Sequence, residues 1–389
     1  MTIFKGDVAG PEAVSLEDRG IGEKAEKVSR KEKRRQKKAQ KPRKRILIRL
    51  FIVVLAAALV VMSARMLMYT QPAAPPGTPT IEEKYRTPQY LSDKTMNILV
   101  CGIDTDAEHG EGDERTVSMT DVIMVVNFDR EADRATVLQI PRDTYVGDIV
   151  PYSKINGLYQ WGVNEKKASD DAPAIGIEPL IRVINEQFKL TIDAYVLITM
   201  DGFRSAVDLI GGVDIVLSDD EEPIDFEGHF VIKPGVNHLN GELAEIFVRY
   251  RNYERADIDR LRMQERVMEA LMRKLFELSS SELISTVWKI RDHLVSDLDV
   301  AGMIAILREV RQMSMDSIAV IRVPGEPVSD YGIYGVNVFT AHKKPLADLL
   351  NKYMRPYQED VQEAELGIIE IQRTREDFVD GVSVLGRHD

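Results

Sequence analysis

The chain has 389 residues, a net charge of −12 and one cysteine, Cys101, which excludes a disulfide within the chain. Residues 1–45 carry 15 basic and 7 acidic side chains, a net charge of +8, which leaves −20 for the other 344 residues. This acidic remainder argues against binding of polyanions, nucleic acid included, by general attraction. Any phosphate site in it must be a local cluster of arginines.

Residues 46–69 are predicted to form a single transmembrane helix. The segment carries no charge over residues 50–64 and has arginines only near its ends, where they can extend to the bilayer interface. Residues 24–45 hold 13 basic and two acidic side chains. Positive charge holds a flank in the cytoplasm, so we expect a basic cytoplasmic tail over residues 1–45 and an extracellular remainder.

Two alternatives stay open for this region. A cleaved signal peptide also has an apolar core after a basic stretch, although a 45-residue leader is long and no A-x-A site follows. The basic stretch could also be a nucleic-acid patch. Because it lies directly against the predicted span, a topology signal that touches anionic membrane lipid explains it better.

The composition changes again after the predicted span. Residues 70–94 contain five prolines and no sustained periodicity, which predicts a semi-rigid stalk. Residues 95–355 are long enough for one sizeable core. Residues 356–389 are acidic and are expected to form a weakly structured C-terminal tail.

Strand-like and helix-like segments alternate within residues 95–355. Short runs of branched apolar residues predict strands at 97–103, 121–128, 134–140, 193–199, 213–217 and 317–323. Longer segments predict helices at 174–188, 201–211, 240–250, 258–279, 300–312 and 341–354. This alternation predicts a layered α/β/α domain with a central mixed sheet, in which Cys101 is a buried thiol.

Polar residues gather at the predicted strand ends. The third strand runs into Ile140–Tyr145 (IPRDTY), where a proline turn places Arg142 beside Asp143. A guanidinium binds phosphate oxygens through two parallel hydrogen bonds, so this pair is a candidate phosphate site. Asp104 ends the first strand and Asp121 opens the second, at the edge where an open sheet usually presents ligands. Taken singly, each aspartate is more often a strand-end cap.

More arginines follow in the chain. Arg249 and Arg251 lie two residues apart, and Arg260 and Gln264 share one face of the long predicted helix. Singly, these arginines could form solvated surface ion pairs of little energetic value. Together, two carboxylates and several arginines suit a Mg²⁺ ion that bridges a pyrophosphate, with guanidiniums neutralising the remaining charge.

The wording and order of these motifs resemble a known family. The segments ILVCGIDTD, MTDVIMVV, VLQIPRDTYV, KINGLYQWG, DGFRSAVDLIGGVDI, HLNGELAEIFVRYR and DIDRLRMQ resemble, in this order, the extracellular catalytic domain of LytR-CpsA-Psr proteins of Gram-positive bacteria. The resemblance is strong over residues 95–280 and looser as far as residue 355. The basic tail and single predicted span also match the usual topology of that family.

The resemblance implies a phosphotransferase anchored in the cell membrane by a single pass. Such an enzyme moves a glycopolymer, for example teichoic acid or capsule, from a polyprenyl-pyrophosphate lipid carrier to peptidoglycan. The product is a phosphodiester link, and Mg²⁺ assists the reaction. The resemblance also implies that residues 95–355 are the catalytic domain and that an apolar tunnel under the sheet holds the polyprenyl chain.

The resemblance also implies roles for single residues. Asp104 and Asp121 would hold the metal, and Arg142 would contact phosphate with Asp143 supporting it. The further phosphate-binding positions that it implies are Arg249, Arg251, Arg260 and Gln264. It assigns no general base.

Two positions depart from the family pattern. Met119 and Met263 stand where the family commonly has arginine. Arg115 lies near the first of these and Arg262 beside the second. We therefore expect either that Arg115 and Arg262 substitute for the missing guanidiniums, or that the polymer or its acceptor differs from the common ones.

Two other functions fit the same residues. A hydrolase of polyprenyl pyrophosphates would use the same metal and arginines with water as the acceptor. A regulator or scaffold would bind wall polymer or lipid carrier without reacting. The products formed from a lipid pyrophosphate, with and without peptidoglycan fragments, discriminate among the three.

Overall fold

The computed structural model describes residues 80–104, 119–149, 153–166, 176–250, 257–331, 335–371 and 383–385. Within these ranges no helix is long and apolar enough to cross a membrane. The predicted basic tail and the predicted span at 46–69 lie outside the described residues, so both stay predictions.

The described part of the chain alternates strands and helices. Its strands are β1 (Thr95–Asp104), β2 (Met119–Asp129), β3 (Arg134–Gln139), β4 (Ala194–Thr199), β5 (Val213–Leu217), β6 (Ile224–Asp225), β7 (Val231–Ile232), β8 (Gly235–Leu239), β9 (Leu294–Ser296), β10 (Ile318–Arg322), β11 (Gly325–Tyr331), β12 (Val336–Ala341) and β13 (Ser383–Val384). Its helices are α1 (Gly157–Lys166), α2 (Ile177–Phe188), α3 (Met200–Leu209), α4 (Gly241–Arg249), α5 (Asp257–Glu277), α6 (Ser280–Ile290), α7 (Val300–Val310) and α8 (Lys343–Tyr353). All six predicted strands and all six predicted helices are confirmed.

A seven-stranded mixed sheet forms the centre of the domain. Its strand order is β13-β10-β3-β2-β1-β4-β9. β1 pairs with β4 and β3 with β10 in parallel, whereas β2 is antiparallel to both β1 and β3. Consequently β1, β3, β4 and β10 all run in one direction, and their carboxyl ends meet at one edge of the sheet.

One face of the sheet carries the main core. Leu99, Leu138 and Leu197 are fully or almost fully buried there, under apolar side chains of α1, α2 and α8. Cys101 lies in the same core, so the predicted buried thiol is confirmed. Branched and aliphatic side chains at every second strand position supply this face.

Helices α5 and α7 lie over the opposite face of the sheet, where Phe276 and Ile306 pack against Ile98 and Val137. A smaller cluster lies beside it, between the β5–β8 hairpin and helices α4 and α5. The layered α/β arrangement with a central mixed sheet is therefore confirmed.

Local sequence fixes several helix starts. Asn240 caps α4 by accepting from Leu243 N, and Thr199 caps α3 by accepting from Gly202 N. Ser279 and Glu282 form a reciprocal capping box at the start of α6. Ser279 is also the last residue of the helix predicted at 258–279. Such caps satisfy backbone N–H groups that a helix cannot satisfy internally.

The structure differs from the sequence expectation at both ends of the domain. The sequence predicts residues 80–94 as part of the stalk, but Ile81, Tyr85 and Leu91 are buried, and the first two lie in the main core. The expected weak structure of the tail is wrong for its described part, because Leu366 and Ile368 are buried in the main core. Both stretches are largely polar, and their few apolar side chains pack them against the domain.

Candidate active site

The edge where the parallel strands end carries the predicted site residues. β1 ends at Asp104, and β3 runs into Pro141 and Arg142. Thr199 at the end of β4 opens helix α3. This is the edge at which open α/β sheets bind their ligands.

A β-bulge positions Asp121. Gly102 pairs with Val122 and the next residue of β1, Ile103, pairs with Thr120, so Asp121 is the extra residue on β2. A bulge bends the strand and redirects a side chain. Here Oδ1 of Asp121 accepts a hydrogen bond of 2.8 Å from Nη1 of Arg142.

The second carboxylate of this group is Asp143. Its Oδ1 lies 2.8 Å from Nζ of Lys154, and its Oδ2 lies 3.8 Å from Nε of Arg142. Asp121, Arg142, Asp143 and Lys154 therefore form one contiguous group of alternating charge, which we name the corner. Their side chains are only 15–22% exposed, so these interactions are weakly screened by solvent.

The KIN element (Lys154–Asn156), which follows IPRD in the sequence, holds the corner in place. Asn156 N donates to Arg142 O at 3.2 Å, and Asn156 O accepts from the Thr120 N and Oγ1. The Nδ2 of Asn156 contacts Sδ of Met119 at 3.8 Å. Neither Lys154 nor Asn156 had a predicted role, although the KIN motif is the sequence signal that marks both residues.

The backbone of the IPRDTY loop is also tied down. Oγ1 of Thr144 donates to Pro141 O at 2.6 Å, and Phe339 N donates to Asp143 O at 2.8 Å. Burial, with a hydrogen bond to Tyr331, raises the pKa of Tyr145 to about 12, so this phenol stays protonated at neutral pH. The corner is thus preorganised, and Tyr145 is not available as a base.

Arg249 belongs to a second charged group. Its Nη1 donates to Oε1 of Glu245 at 2.9 Å, and Nη1 of Arg204 donates to the other oxygen at 2.8 Å. Glu245 is buried, so it fixes both guanidiniums at the end of α4. Sequence reasoning missed Glu245, because its two partners come from different helices.

The amino-terminal part of α5 docks on the ends of β3 and β10. Arg322 donates through Nε to Gln139 at 3.1 Å and through Nη2 to Glu265 at 2.7 Å. The predicted phosphate ligand Gln264 precedes Glu265 and is itself buried. The ion pair therefore holds this part of α5 against the edge of the sheet.

Four predicted positions lie wholly or partly outside the described geometry. Arg251 and Arg115 lie outside the described residues. The backbones of Asp104 and Arg260 are described, but their side chains are not. Asp104 of β1 pairs with Met119 of β2, and Met119 is two residues before Asp121 on the same strand.

The two departures from the family pattern have local explanations. Met263 is buried in the small cluster beside Val267 and Ala270, so this position packs a core and does not present a charge. Arg262 is half-buried on the adjacent position of α5. Met119 contacts Asn156 and thereby supports the KIN element.

An apolar surface leads away from this edge of the sheet. Val100, Met124, Val126 and Val196 are half-buried, although they lie on central strands beneath α5 and α7. Leu99, Val125 and Leu197, on the opposite face of the same strands, are at most 1% exposed. We name the four half-buried residues the open face, because the helices cover it incompletely.

Among the described residues, no three His, Cys, Asp or Glu side chains lie together as metal ligands. Mg²⁺ commonly takes one or two carboxylates and completes its shell with water and phosphate oxygens. Asp121 at the bulge, with Asp104 nearby in the register, fits such a donor set.

Comparison with known proteins gives a consistent family. The LytR_cpsA_psr family model matches residues 67–355. The polyisoprenyl-teichoic acid–peptidoglycan teichoic acid transferase TagU of Oceanobacillus iheyensis is 27% identical over 216 residues, 54% of this chain and 61% of that protein. TagV of Bacillus subtilis, whose name gives the same activity, is 28% identical over 210 residues, which are 52% of this chain and 48% of that protein.

A third relative aligns over more of this chain. The cell wall biosynthesis protein LcpA of Corynebacterium glutamicum is 25% identical over 305 residues, 70% of this chain and 57% of that one. The alignments thus span about half to three-fifths of the length of these relatives.

Solved structures share the fold. The crystal structure of B. subtilis TagV has a TM-score of 0.52 and 22% identity, over 67% of this chain and 95% of that one. TagT bound to LI-WTA has a TM-score of 0.55 and 19% identity, over 77% and 100%. Because the family model covers most of the sequence, the chain belongs to the LytR-CpsA-Psr family.

Proposed function

We propose that this protein is a phosphotransferase that moves a glycopolymer from a polyprenyl-pyrophosphate carrier to peptidoglycan, forming a phosphodiester link with the assistance of Mg²⁺. The observation that carries the proposal is the corner itself, a preorganised group of two carboxylates, one guanidinium and one ammonium at the carboxyl edge of the sheet. The names of TagU and TagV, which specify teichoic acid transfer to peptidoglycan, support the same activity.

The open face supports a lipid-linked substrate. On β2, Asp121 of the corner is followed by Val122, Met124 and Val126, so charge and apolar surface adjoin along one strand. A polyprenyl pyrophosphate has the same two parts, an anionic head and a hydrocarbon chain. With the anionic head at the corner, the hydrocarbon chain would lie along the open face, between the sheet and α5. This space would then be the predicted tunnel.

The reaction forms one phosphorus–oxygen bond and breaks another. A hydroxyl oxygen of the peptidoglycan acceptor attacks the phosphorus that carries the glycan, and the bond from that phosphorus to the bridging oxygen breaks. Polyprenyl phosphate leaves, and the hydroxyl proton passes to solvent or to a base that stays unassigned. Positioning and charge stabilisation are the main contributions of a protein to such a transfer.

The residues of the corner divide this work. Arg142 donates to non-bridging phosphate oxygens, while Asp121 and Asp143 hold its guanidinium in the required plane. Lys154 fixes Asp143 from the other side. Arg249, held by Glu245, and Gln264 on α5 complete the phosphate contacts, together with Arg251 and Arg260.

Asp121 and Asp104 are the residues that would hold Mg²⁺. When bound there, the ion supplies charge neutralisation on the pyrophosphate and lowers the cost of forming the leaving phosphate. A carboxylate that binds a cation is a poor proton acceptor, so neither aspartate is assigned as the general base.

The proposed topology suits a lipid-linked substrate. A single span at 46–69 with a cytoplasmic basic tail would place the domain outside the cell membrane. The proposed carrier would lie in the outer leaflet, on the side of the membrane where this topology would place the domain.

The test uses the full-length chain in detergent micelles with Mg²⁺, a lipid-pyrophosphate oligosaccharide and soluble peptidoglycan fragments. Mass spectrometry should detect oligosaccharide joined to peptidoglycan by one phosphodiester. Release of sugar phosphate without linkage would instead identify a hydrolase. Retention of intact carrier, in a preparation that binds it, would identify a non-catalytic binding protein.

A further inference from the structure

A cavity lies on the opposite side of the main core from α5, between α1, α2 and the segment that opens the domain. Its volume is about 240 Å³. Trp161 and Tyr85 supply aromatic walls, with Pro179 and Ile181 beside them. Its polar lining consists of Glu82, Glu178 and Arg182.

The floor of this tryptophan cavity is rigid. α1 meets the start of α2 so closely that a Cβ on Gly162 would lie 2.5 Å from the carbonyl oxygen of Gly176. Ile81, Tyr85 and Ile181 are buried in the main core behind it. A cavity whose walls are fixed by backbone contact and core packing persists without a ligand.

The chemistry of the lining selects the ligand. Trp161 is half-buried, and the Arg182 guanidinium carbon lies 6.0 Å from its ring centre. Glu178 and Arg182 therefore present acceptors and donors at a partly exposed indole, one face of which the guanidinium covers. A sugar ring has the complementary pattern, an apolar C–H face and a rim of hydroxyl groups that both donate and accept.

The charge and size of the cavity further restrict the class of ligand that it can bind. Glu82 is paired with Lys84 at 2.8 Å, and Glu178 and Arg182 carry opposite charges, so no excess positive charge at the cavity compensates the carboxylates of an anionic polymer. The volume is smaller than the roughly 300–1,000 Å³ of sites that enclose a drug-sized ligand. One ring of a longer chain fits these limits.

We propose that the tryptophan cavity binds one ring of an uncharged saccharide, at a site separate from the phosphate corner. α1 connects the two sites, because it starts at Gly157, directly after Asn156 of the KIN element. Trp161 lies four residues further, about 6 Å along the helix axis. The inference goes beyond the proposed transfer, since ring binding needs neither a lipid carrier nor turnover.

The experiment exploits the two tryptophans of the chain, Trp161 and Trp288. In the full-length W288F variant, Trp161 is the only indole reporter. Titration with chitotriose, an uncharged trisaccharide, should give a saturable change in its emission. A hyaluronan tetrasaccharide, which carries carboxylates, should give a dissociation constant at least tenfold higher.

Two further variants localise the binding. In the W288F background, E178Q should raise the dissociation constant for chitotriose about tenfold, whereas E186Q, an exposed glutamate on the same helix, should leave it unchanged. R142A should also leave it unchanged, so a failure of the proposed transfer and a failure of this inference are separate results. Absence of a saturable change, equal binding of both saccharides, or equal effects of E178Q and E186Q would each overturn the proposal.

Discussion

Nζ of Lys154 lies 2.8 Å from Oδ1 of Asp143, while the other oxygen of that carboxylate faces Arg142. Lys154 comes from the segment before α1 and Asp143 from the loop after β3. The pair therefore connects two separate segments through one carboxylate. It makes Lys154 a positioning residue for Arg142.

Replacing Lys154 tests this positioning role. K154M should lower kcat/KM for transfer at least tenfold, mainly through kcat, because Arg142 loses one of the groups that orient its plane. Stability should fall by about 1–2 kcal/mol, since the pair is partly screened. K154R should recover most of the activity, and a K154M enzyme with normal kcat would contradict the role.

Arg142 itself is predicted to be essential. R142A should abolish transfer, and R142K should leave a rate about 10²-fold to 10³-fold lower, because an ammonium cannot form two parallel hydrogen bonds to phosphate. The matched control is R130A, which removes a half-exposed arginine paired with Glu309 far along the chain. Transfer by R142A at the normal rate would refute the site assignment.

The Arg322–Glu265 pair is expected to stabilise the docking of α5. These side chains are 10% and 14% exposed. R322M alone should destabilise the protein by about 3 kcal/mol or more in urea unfolding, because Glu265 is left as a buried charge without its partner. The R322M/E265L double variant should recover most of this loss, and simple additivity of the two changes would count against the coupling.

The burial of Met263 gives a prediction about the missing arginine. Restoring the family residue with M263R should not improve transfer; it should destabilise the fold by about 3 kcal/mol or more, because a charge enters the small apolar cluster. If Arg262 supplies the guanidinium instead, R262M should lower transfer with little change in unfolding. Higher transfer in M263R would contradict both expectations.

Cys101 offers a measurement of global opening. Burial raises the pKa of its thiol well above the usual range, and no other cysteine is present in the chain. Reaction with a thiol reagent should therefore be at least about 10³-fold slower in the native protein than in urea, as expected for a group exposed only by unfolding. Rapid native labelling would show that the main core opens locally.

The apolar pattern predicted the central strands because short runs of branched apolar residues suit strands that are covered on both faces. It missed α1, whose segment GLYQWGVNEK contains two glycines and an asparagine and lacks a continuous apolar stripe. It also missed the β11–β12 hairpin, since GEPVSDY is polar and includes a proline.

The site shows the same division. Asp121, Arg142 and Asp143 were predictable because they lie within or beside local motifs at strand ends. Glu245 and the Arg322–Glu265 pair were not, because each joins residues more than 40 positions apart or from different helices. No local pattern records such a partnership.

The open face also has a thermodynamic consequence. Val100, Met124, Val126 and Val196 have not realised all the burial that their positions allow. Each further square ångström of apolar area withdrawn from water is worth about 25 cal/mol. If the hydrocarbon chain of the proposed carrier lies there, it would complete the core, so the protein should melt at a higher temperature with that chain bound than without it.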